Sequence, residues 1–377
     1  MGQGVPPHLA VALDGAGWHP AAWREPGARP AELFTARYWT DLVREAQRGL
    51  LDLVTFEDSF SLRSGHDRAG DRTDRVRGRL DATLIAAAVA PRTSGIGLVP
   101  TVVATHTEPF HVSKAIATLD YASTGRAGMR VRVSASGSEA ALFGRRPQLV
   151  GEPDEARVTD LLAEAVDHVE VVRRLWDSWE DDAEIRDADT GRFVDRDKLH
   201  HIDFAGRWFS VKGPSITPRP PQGLPPVFTS APTDSGFADV VFVTPKDVEA
   251  VARAVERTTA RHTFGDLVVF LDESPRAAAD RLARLDDVAG EPMTSDAAVF
   301  TGTPAELADQ LLAWHSAGLT GFRLRPGTLP HDLEAVTRGL VPELQARGRF
   351  RRDYDEGTLR DRLGLPRPAS RYAEVEA

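Results

Sequence analysis

Polar side chains lie within and just after the third predicted strand, where they could bind a small ligand. The apolar run at residues 96–103 contains Thr101 and is followed at once by Thr105, His106 and Thr107. Threonine hydroxyls donate and accept hydrogen bonds, and an imidazole titrates near neutral pH and can act as a general acid or base. Because parallel α/β folds bind ligands at the carboxyl ends of their strands, this stretch predicts part of a binding site.

The same loop contains a pattern that resembles a metal-binding motif. His106, Glu108 and His111 form the sequence HxExxH, in which two imidazoles and a carboxylate could bind a metal ion. Pro109 lies between them, and no further ligands accompany the pattern. We therefore predict no metal site here.

The elements that position these residues alternate between short apolar runs and amphipathic helices, as in a parallel sheet. Strands are predicted at residues 8–13, 50–56, 96–103, 129–133, 226–229, 238–243, 266–271 and 321–324. About eight strands in this rhythm indicate an α/β fold of the (β/α)8 TIM-barrel type. An open doubly wound sheet is the alternative.

We predict one domain that spans residues 1–377. The rhythm lapses after the fourth strand, where a helix is predicted at residues 159–176 and six prolines follow at 214–226. We interpret residues 145–225 as an insertion that packs on the barrel. Residues 347–377 are predicted to be a C-terminal tail that wraps the outside of the barrel or a partner subunit.

Composition excludes several classes of function. The chain of 377 residues has a net charge of −10, which argues against nucleic acid or an anionic membrane as its partner. It has no cysteine, so disulfides, thiolate catalysis and Cys-type metal centres are excluded. No signal peptide and no apolar stretch of ~18 residues is present, and we expect a cytoplasmic protein.

Several long blocks resemble the luciferase-like flavin monooxygenases, above all the branch of the nitrilotriacetate and dibenzothiophene-sulfone monooxygenases. These blocks are LAVALDGAGWHPAAWR, GLLDLVTFEDSF, GIGLVPTVVATHTEPFHVSKAIATLDYASTGRAG, HIDFAGRWFSVKGPSITPRPPQG and VPELQARGRFRRDYDEGTLRDRLGLPRP. The resemblance implies a TIM barrel that uses reduced FMN, supplied by a separate flavin reductase, and O2. It implies oxygenation of a small organic substrate through a flavin C4a-(hydro)peroxide, in a homodimer or homotetramer.

The resemblance also implies roles for particular residues. Asp58 corresponds to the family's flavin-side acid, Thr101 to a hydroxyl near the isoalloxazine, and Ser134 to a hydroxyl that contacts flavin. The turn after the fifth strand corresponds to the phosphate site and contains Ser230, Ala231 and Thr233. His106 stands where many relatives have an aromatic residue, and it could stabilise the peroxide or orient the substrate.

Each of these residues has a structural alternative. Asp58 could cap the next segment, Thr101 could satisfy the backbone, His106 could be an ordinary loop histidine, and Ser134 could cap a strand end. Four aromatic residues are also assigned: His19 and Trp23 shape the substrate pocket or pack their loop, and Trp208 and Phe209 are expected in the core. Four arginines of a charged loop are expected to be solvated: Arg63, Arg68, Arg72 and Arg75.

The chain departs from its relatives at the fourth strand. Relatives commonly have a Trp-Asn pair where this chain has Met129 and Arg130. Alternation along a strand puts Arg130 and Arg132 on the same face. If that face points into the barrel, the two cations could bind the cofactor phosphate or an acidic substrate. Arg130 therefore joins His106 as a candidate catalytic residue.

A second departure lies in the phosphate turn. Pro232 removes a backbone donor there, and the helix that should follow the fifth strand is missing. The segment at residues 263–271 is also abridged. Two functions follow: a flavin-dependent monooxygenase with an adapted FMN site, or a family member that has lost flavin. The second would be a cofactor-independent enzyme or a non-catalytic binding or partner subunit. A deazaflavin cofactor is a third alternative.

Overall fold

Strands and helices alternate along the chain in the computed structural model, which describes residues 5–61, 72–146, 154–231 and 236–373. The strands are β1 (His8–Leu13), β2 (Leu53–Phe56), β3 (Gly97–Val103), β4 (Met129–Arg132), β5 (Glu184–Asp187), β6 (Arg192–Val194), β7 (Phe204–Ala205), β8 (Ser210–Val211), β9 (Val227–Ser230), β10 (Val240–Val243), β11 (His262–Leu271), β12 (Ala298–Gly302) and β13 (Gly321–Pro326). The α-helices are α1 (Ala36–Arg48), α2 (Ala82–Val89), α3 (Pro109–Ser123), α4 (Gly137–Phe143), α5 (Glu155–Asp177), α6 (Val248–Arg257), α7 (Pro275–Ala289), α8 (Pro304–Ser316), α9 (His331–Ala335), α10 (Val341–Ala346) and α11 (Leu359–Arg362).

Eight of the strands close into a parallel barrel. The order is β1, β2, β3, β4, β9, β10, β11 and β13, and β13 pairs with β1 to complete the ring. The predicted TIM barrel is therefore confirmed, and the open sheet is wrong. Within the large sheet one strand was not predicted: β12 pairs with the carboxyl half of β11, beyond the four residues of β11 that pair with β10.

The lower part of the barrel interior is apolar. Alternate residues of the strands point inward, because successive side chains of a strand face opposite sides of the sheet. They form a buried cluster with the end of the tail: Ala10, Leu53, Val99, Phe228, Val240, Phe242, Phe264, Leu359, Leu363 and Leu365. The segment at α11 is hydrogen-bonded near the amino ends of the strands: Leu359 N donates to Gly125 O at 2.9 Å, and Leu363 O accepts from the ring of His262 at 2.7 Å. The tail thus closes the bottom of the barrel, opposite the end where ligands bind.

The segment between β4 and β9 covers one side of the barrel. Its long helix α5 packs on α3 through Val112, Ile116, Val169 and Val172, and the indole of Trp176 donates to Ser113 O at 3.0 Å. Two short antiparallel hairpins, β5–β6 and β7–β8, follow α5. The predicted helix at residues 159–176 is present and somewhat longer.

The connection from β9 to β10 is short. Its described residues, 231 and 236–239, contain no helix, which agrees with the missing helix in the sequence. Pro232 and Thr233 lie outside the described residues. Across the described part of the chain, no helix is both long and apolar enough to cross a bilayer.

Candidate active site

A network of charged side chains fills the carboxyl end of the barrel interior, and we call it the mouth network. It consists of Glu57, Arg130, Asp266, Asp296, Arg323 and Arg325. Nη1 of Arg323 donates to Oε1 of Glu57 at 3.0 Å, and its Nε donates to Oδ1 of Asp266 at 2.7 Å. Arg130 is paired with the other oxygen of Glu57. The network therefore joins β4, β11, β13 and the residue after β2.

Local sequence explains how these groups come together. The sequence FRLRP of β13 alternates, so Arg323 and Arg325 both point inward while Phe322 and Leu324 pack outside. The guanidinium of Arg323 lies 4.0 Å from the ring centroid of Phe242, at the top of the apolar cluster. The mouth network thus forms a charged layer over an apolar one.

The charges of the mouth network balance, with three arginines against three carboxylates. Burial would raise the pKa of Glu57, but the positive charges of Arg130, Arg323 and Arg325 outweigh it and hold the pKa at about 2. Burial lowers the pKa of Arg130 to about 10, against the opposing effect of Glu57. Both groups are charged at neutral pH, and Arg130 already forms an ion pair with Glu57 in the absence of a ligand.

Three predicted site residues meet at this network. Nη1 of Arg130 donates to Oγ1 of Thr101 at 3.2 Å, and Nη2 donates to Oγ of Ser230 at 3.1 Å. The Nε atom of Arg130 is buried and has no hydrogen-bond partner. An unpartnered buried donor is costly, so this atom is a candidate contact for a bound ligand. Arg132 points to the same side, and its guanidinium lies 3.5 Å from Glu139.

Other predicted site residues have structural roles. The carboxylate of Asp58 accepts from the N–H groups of Ser59, at 2.8 Å, and Ala82, at 3.0 Å, so it binds the first N–H of α2, whose N-cap residue is Asp81. The backbone of Ser134 donates to Thr105, and its hydroxyl accepts from Ser136 N, as in a strand-end cap. These contacts match the structural alternatives for both residues.

Only the first residue of the turn after β9, Ala231, and residues from 236 onward are described. The N–H of Ala231 donates to Phe242 O at 2.9 Å, so it extends the pairing of β9 with β10. A phosphate site of the expected kind needs free backbone N–H groups, and Ala231 does not provide one. Ser230 keeps its hydroxyl at the mouth network, and Thr233 lies outside the described residues.

His106 lies in the wall of a cavity of about 310 Å³ beside β3 and α4, which we call the side cavity. The side cavity is lined by Thr105, His106, Thr107, Glu108, Pro109, Phe143, Arg145, Arg146, Glu164, Trp208 and Phe209. The His106 ring stacks on Phe143, with centroids 4.9 Å apart and planes 7° apart. Its Nε2 atom is buried without a partner, and burial lowers its pKa, so the imidazole is neutral at pH 7.

The HxExxH pattern does not assemble a ligand set. His111 is exposed, and Glu108 pairs with Arg145 instead. Among the described residues, no group of three or more His, Asp or Glu side chains could hold a metal ion.

The predicted aromatic residues divide between loop packing and the side cavity. His19 is buried, and its Nε2 contacts Asp286 of α7 at 3.0 Å, while the indole of Trp23 donates to Asp74 O. These contacts favour loop packing for both. Trp208 and Phe209 are half-buried and line the side cavity. Phe209 also packs against the buried cluster of Val171, Leu175 and Ile202, as expected, whereas Trp208 belongs to no buried cluster of the described residues, so its assignment to the core is corrected.

The arginines of the charged loop are not simply solvated where the structure describes them. Arg72 is bonded to Asp74 at 2.9 Å and to Ala289 O, and Arg75 pairs with Glu291. Arg63 and Arg68 lie outside the described residues. The pairs of Arg72 and Arg75 fasten this loop to the end of α7.

Sequence reasoning missed five members of the mouth network: Glu57, Asp266, Asp296, Arg323 and Arg325. A signal existed, because Asp266 interrupts a strand whose residues are all buried, and the arginines of FRLRP alternate with apolar residues. A charge in such a position is rarely tolerated unless it is paired. The sequence alone did not show which charges pair.

Comparison with known proteins decides the family. The family model described as Luciferase-like monooxygenase matches residues 16–264, which include β2 to β10, the lining of the side cavity and two members of the mouth network, Glu57 and Arg130. The chain belongs to the luciferase-like monooxygenase family. It is 30% identical to nitrilotriacetate monooxygenase component A of Aminobacter aminovorans, over 99% of this chain and 100% of the relative. The predicted family and the predicted enzyme class are thereby confirmed.

Two further comparisons place this luciferase-like monooxygenase among its relatives. It is 30% identical over 338 residues to one of the subunits of pristinamycin IIA synthase from Streptomyces pristinaespiralis, covering 90% of this chain and 92% of the relative. The EDTA monooxygenase of Chelativorans sp. BNC1 superposes with a TM-score of 0.81 at 23% identity, covering 96% of this chain and 99% of that one. The last comparison supports the fold alone.

Proposed function

We propose that this luciferase-like monooxygenase uses reduced FMN, supplied by a separate flavin reductase, and O2 to oxygenate a small organic substrate. The single observation that carries the proposal is the convergence of Thr101, Arg130 and Ser230 at the carboxyl end of the barrel, within the matched family region. That end is where TIM-barrel enzymes carry out their chemistry.

The residues at the mouth fit an isoalloxazine in part. The unpartnered Nε of Arg130 is a buried donor, and a flavin ring is rich in acceptors. Thr101 and Ser230 would help to hold the edge of the ring through their hydroxyls. The phosphate end fits less well, because the N–H of Ala231 is already bonded. We therefore propose an adapted site that holds the ring better than the phosphate.

Reduced FMN would supply the two electrons with which O2 is activated. The chain's own residues bind the ring edge through Arg130, and they limit the access of water through the segment between β4 and β9. Neutral His106 can hold or donate a single proton at Nε2 towards the adjoining side cavity. We propose that the protein works as a homodimer or homotetramer.

Titration of the purified protein tests the proposal. Oxidised FMN is followed by flavin fluorescence, and reduced FMN by absorbance under anaerobic conditions. Binding of the reduced form in the micromolar range is expected, and Arg130→Met should weaken it. Arg37→Met is the matched control, because the side chain of Arg37 is 81% exposed on α1. If neither flavin form binds at high micromolar concentration, flavin-dependent oxygenation is excluded.

One observation favours a second candidate, a partner subunit that has lost flavin. The alignment with the pristinamycin IIA synthase relative needs only 338 positions to cover 90% of this chain. The alignment with the nitrilotriacetate monooxygenase needs 461 positions to cover 99%, so it contains many more gaps. The chain thus aligns with few gaps to a relative that is named as one subunit of a synthase. Flavin binding by the isolated chain separates the two candidates.

A further inference from the structure

We propose that the side cavity binds a neutral, hydroxylated aromatic molecule, and we infer that this is the class of the substrate. Calling the ligand a substrate rests on the proposed function, whereas its binding does not. The inference differs from what the names of the nitrilotriacetate and EDTA relatives would suggest, since both of those compounds are polycarboxylates. It depends on three features of the side cavity: its rings, its charge balance and its unpartnered atom.

Aromatic rings form one wall of the side cavity. Phe143 is stacked against the His106 ring, and Trp208 and Phe209 also line the side cavity. Phe60 lies edge-on to Phe143, with centroids 4.7 Å apart, and fixes its orientation. Flat surfaces of this kind bind aromatic molecules through stacked and edge-to-face contacts. At about 310 Å³ the side cavity is at the small end of ligand sites, which suits a ligand of about two fused rings.

The charged groups of the side cavity cancel. Arg146 makes a two-pronged pair with Glu164, with 2.6 Å between Nη1 and Oε2, and Glu164 is almost fully buried. Arg145 is paired with Glu108. Two cations and two carboxylates leave no net charge. A carboxylate ligand would have to break a pair and approach a buried acid, which disfavours anions.

One buried polar atom in the described wall of the side cavity lacks a partner, the Nε2 of His106. The threonine hydroxyls are engaged, because Thr105 accepts from Ser134 N and Thr107 donates to Val103 O. A neutral imidazole nitrogen is either a donor or an acceptor, depending on the tautomer. A ligand hydroxyl can pair with it in both cases, since a hydroxyl donates and accepts. A phenolic group therefore matches this atom.

Two probes with the same rings test the inference without flavin. Calorimetry compares 2,6-dihydroxynaphthalene with 2,6-naphthalenedicarboxylate at pH 7, where the first is neutral and the second carries two charges. We expect the diol to bind about tenfold or more tightly than the dicarboxylate, a difference of about 1.4 kcal/mol. Equal or tighter binding of the dicarboxylate, or no binding of the diol up to its solubility limit, overturns the inference.

Three variants locate the site and test the charge argument. Trp208→Ala removes part of the aromatic wall and should weaken diol binding about tenfold. His106→Phe keeps the ring on Phe143 but removes Nε2, and it should weaken diol binding about fivefold. Phe193→Ala is the control, because Phe193 is exposed on β6 and away from the cavity wall, and it should change nothing.

Glu164→Gln is the decisive variant. It leaves Arg146 without its full counter-charge, so affinity for the dicarboxylate should rise about tenfold while affinity for the diol stays within about twofold. If the dicarboxylate gains nothing, the balance of charge does not set the ligand class. These readouts are independent of FMN, so failure of flavin binding would remove the proposed function and leave the ligand class standing.

Discussion

Replacing Glu57 with glutamine removes one carboxylate from the mouth network and leaves its three arginines facing Asp266 and Asp296 alone. Glu57 has lost most of its contact with water, and its two oxygens pair with Arg130 and Arg323. Removing one partner of a buried ion pair leaves an uncompensated charge, which typically costs about 3–5 kcal/mol. The variant should therefore fold with a markedly lower free energy of unfolding.

The pKa of Glu57 gives a second estimate of how much its ion pairs stabilise the fold. A fall from its ordinary value of 4.5 to about 2 corresponds to roughly 3 kcal/mol of interaction with the ionised form. Because folding lowers the pKa of Glu57, the stability that its ionised form contributes is present above pH 4.5 and is lost as the pH falls towards 2. The two estimates agree in order of magnitude.

Urea unfolding of wild type and Glu57→Gln measures this difference. We expect the variant's free energy of unfolding to be lower by about 3 kcal/mol at pH 7 and by about half of that at pH 3, because the carboxyl of the unfolded chain is already protonated at pH 3. Glu170→Gln is the control, since Glu170 is paired with Arg174 on the surface of α5, and it should cost less than about 0.5 kcal/mol. A cost below about 1 kcal/mol at pH 7, or no change with pH, would refute the reasoning.

The same substitution should act on ligand binding in the opposite direction. Glu57 competes with any anionic ligand for Arg130, so Glu57→Gln should strengthen binding of reduced FMN about tenfold even as it destabilises the fold. Loss of both stability and flavin affinity would mean that Arg130 does not face the cofactor.

Two further substitutions test the site and the barrel floor. Thr101→Val removes the hydroxyl that accepts from Arg130 and should weaken flavin binding about fivefold in a fluorescence titration, with the fold intact by circular dichroism; Thr118→Val on the exposed face of α3 should leave affinity unchanged. Leu359→Ala opens a cavity where the tail closes the barrel and should cost about 2–5 kcal/mol in urea unfolding, whereas Leu142→Ala, at a side chain that is 70% exposed, should cost almost nothing. A small effect at Leu359 would show that the tail does not support the barrel.

The barrel strands could be predicted because each is a short apolar run with a sharp boundary. Strand β3 lies between Gly95 and the polar loop that begins at Thr105, and all seven of its residues are buried. Strand β12 was missed because its residues Ala298–Gly302 are mostly half-exposed and lack that contrast. Its pairing depends on the length of β11, which tertiary contacts set and local sequence does not.

Site residues could be predicted where the sequence of a single strand, or its resemblance to the family, pointed to them. Alternation put Arg130 and Arg132 on one face of β4, and Thr101 and Ser230 were expected from the family resemblance; they lie on the strands next to β4. The partner of Arg130 was not predictable in the same way, because Glu57 is 73 residues away in sequence and its second partner, Arg323, is 266 residues away. Asp58, the next residue, was predicted instead of Glu57, and its carboxylate accepts from Ser59 N and Ala82 N.

If FMN binds as we propose, the mouth network and Ala231, the described start of the turn after β9, both lower its affinity. The charge of Arg130 is already paired with Glu57, which weakens the attraction of Arg130 for the flavin ring. The N–H of Ala231 is bonded to β10, so the phosphate also loses a donor. Both effects would lower the affinity for FMN, but the hydroxyls of Thr101 and Ser230 remain at the site. We propose that a site of this kind suits a cofactor that arrives reduced, stays for one turnover and leaves oxidised, as the proposed delivery by a separate reductase would require.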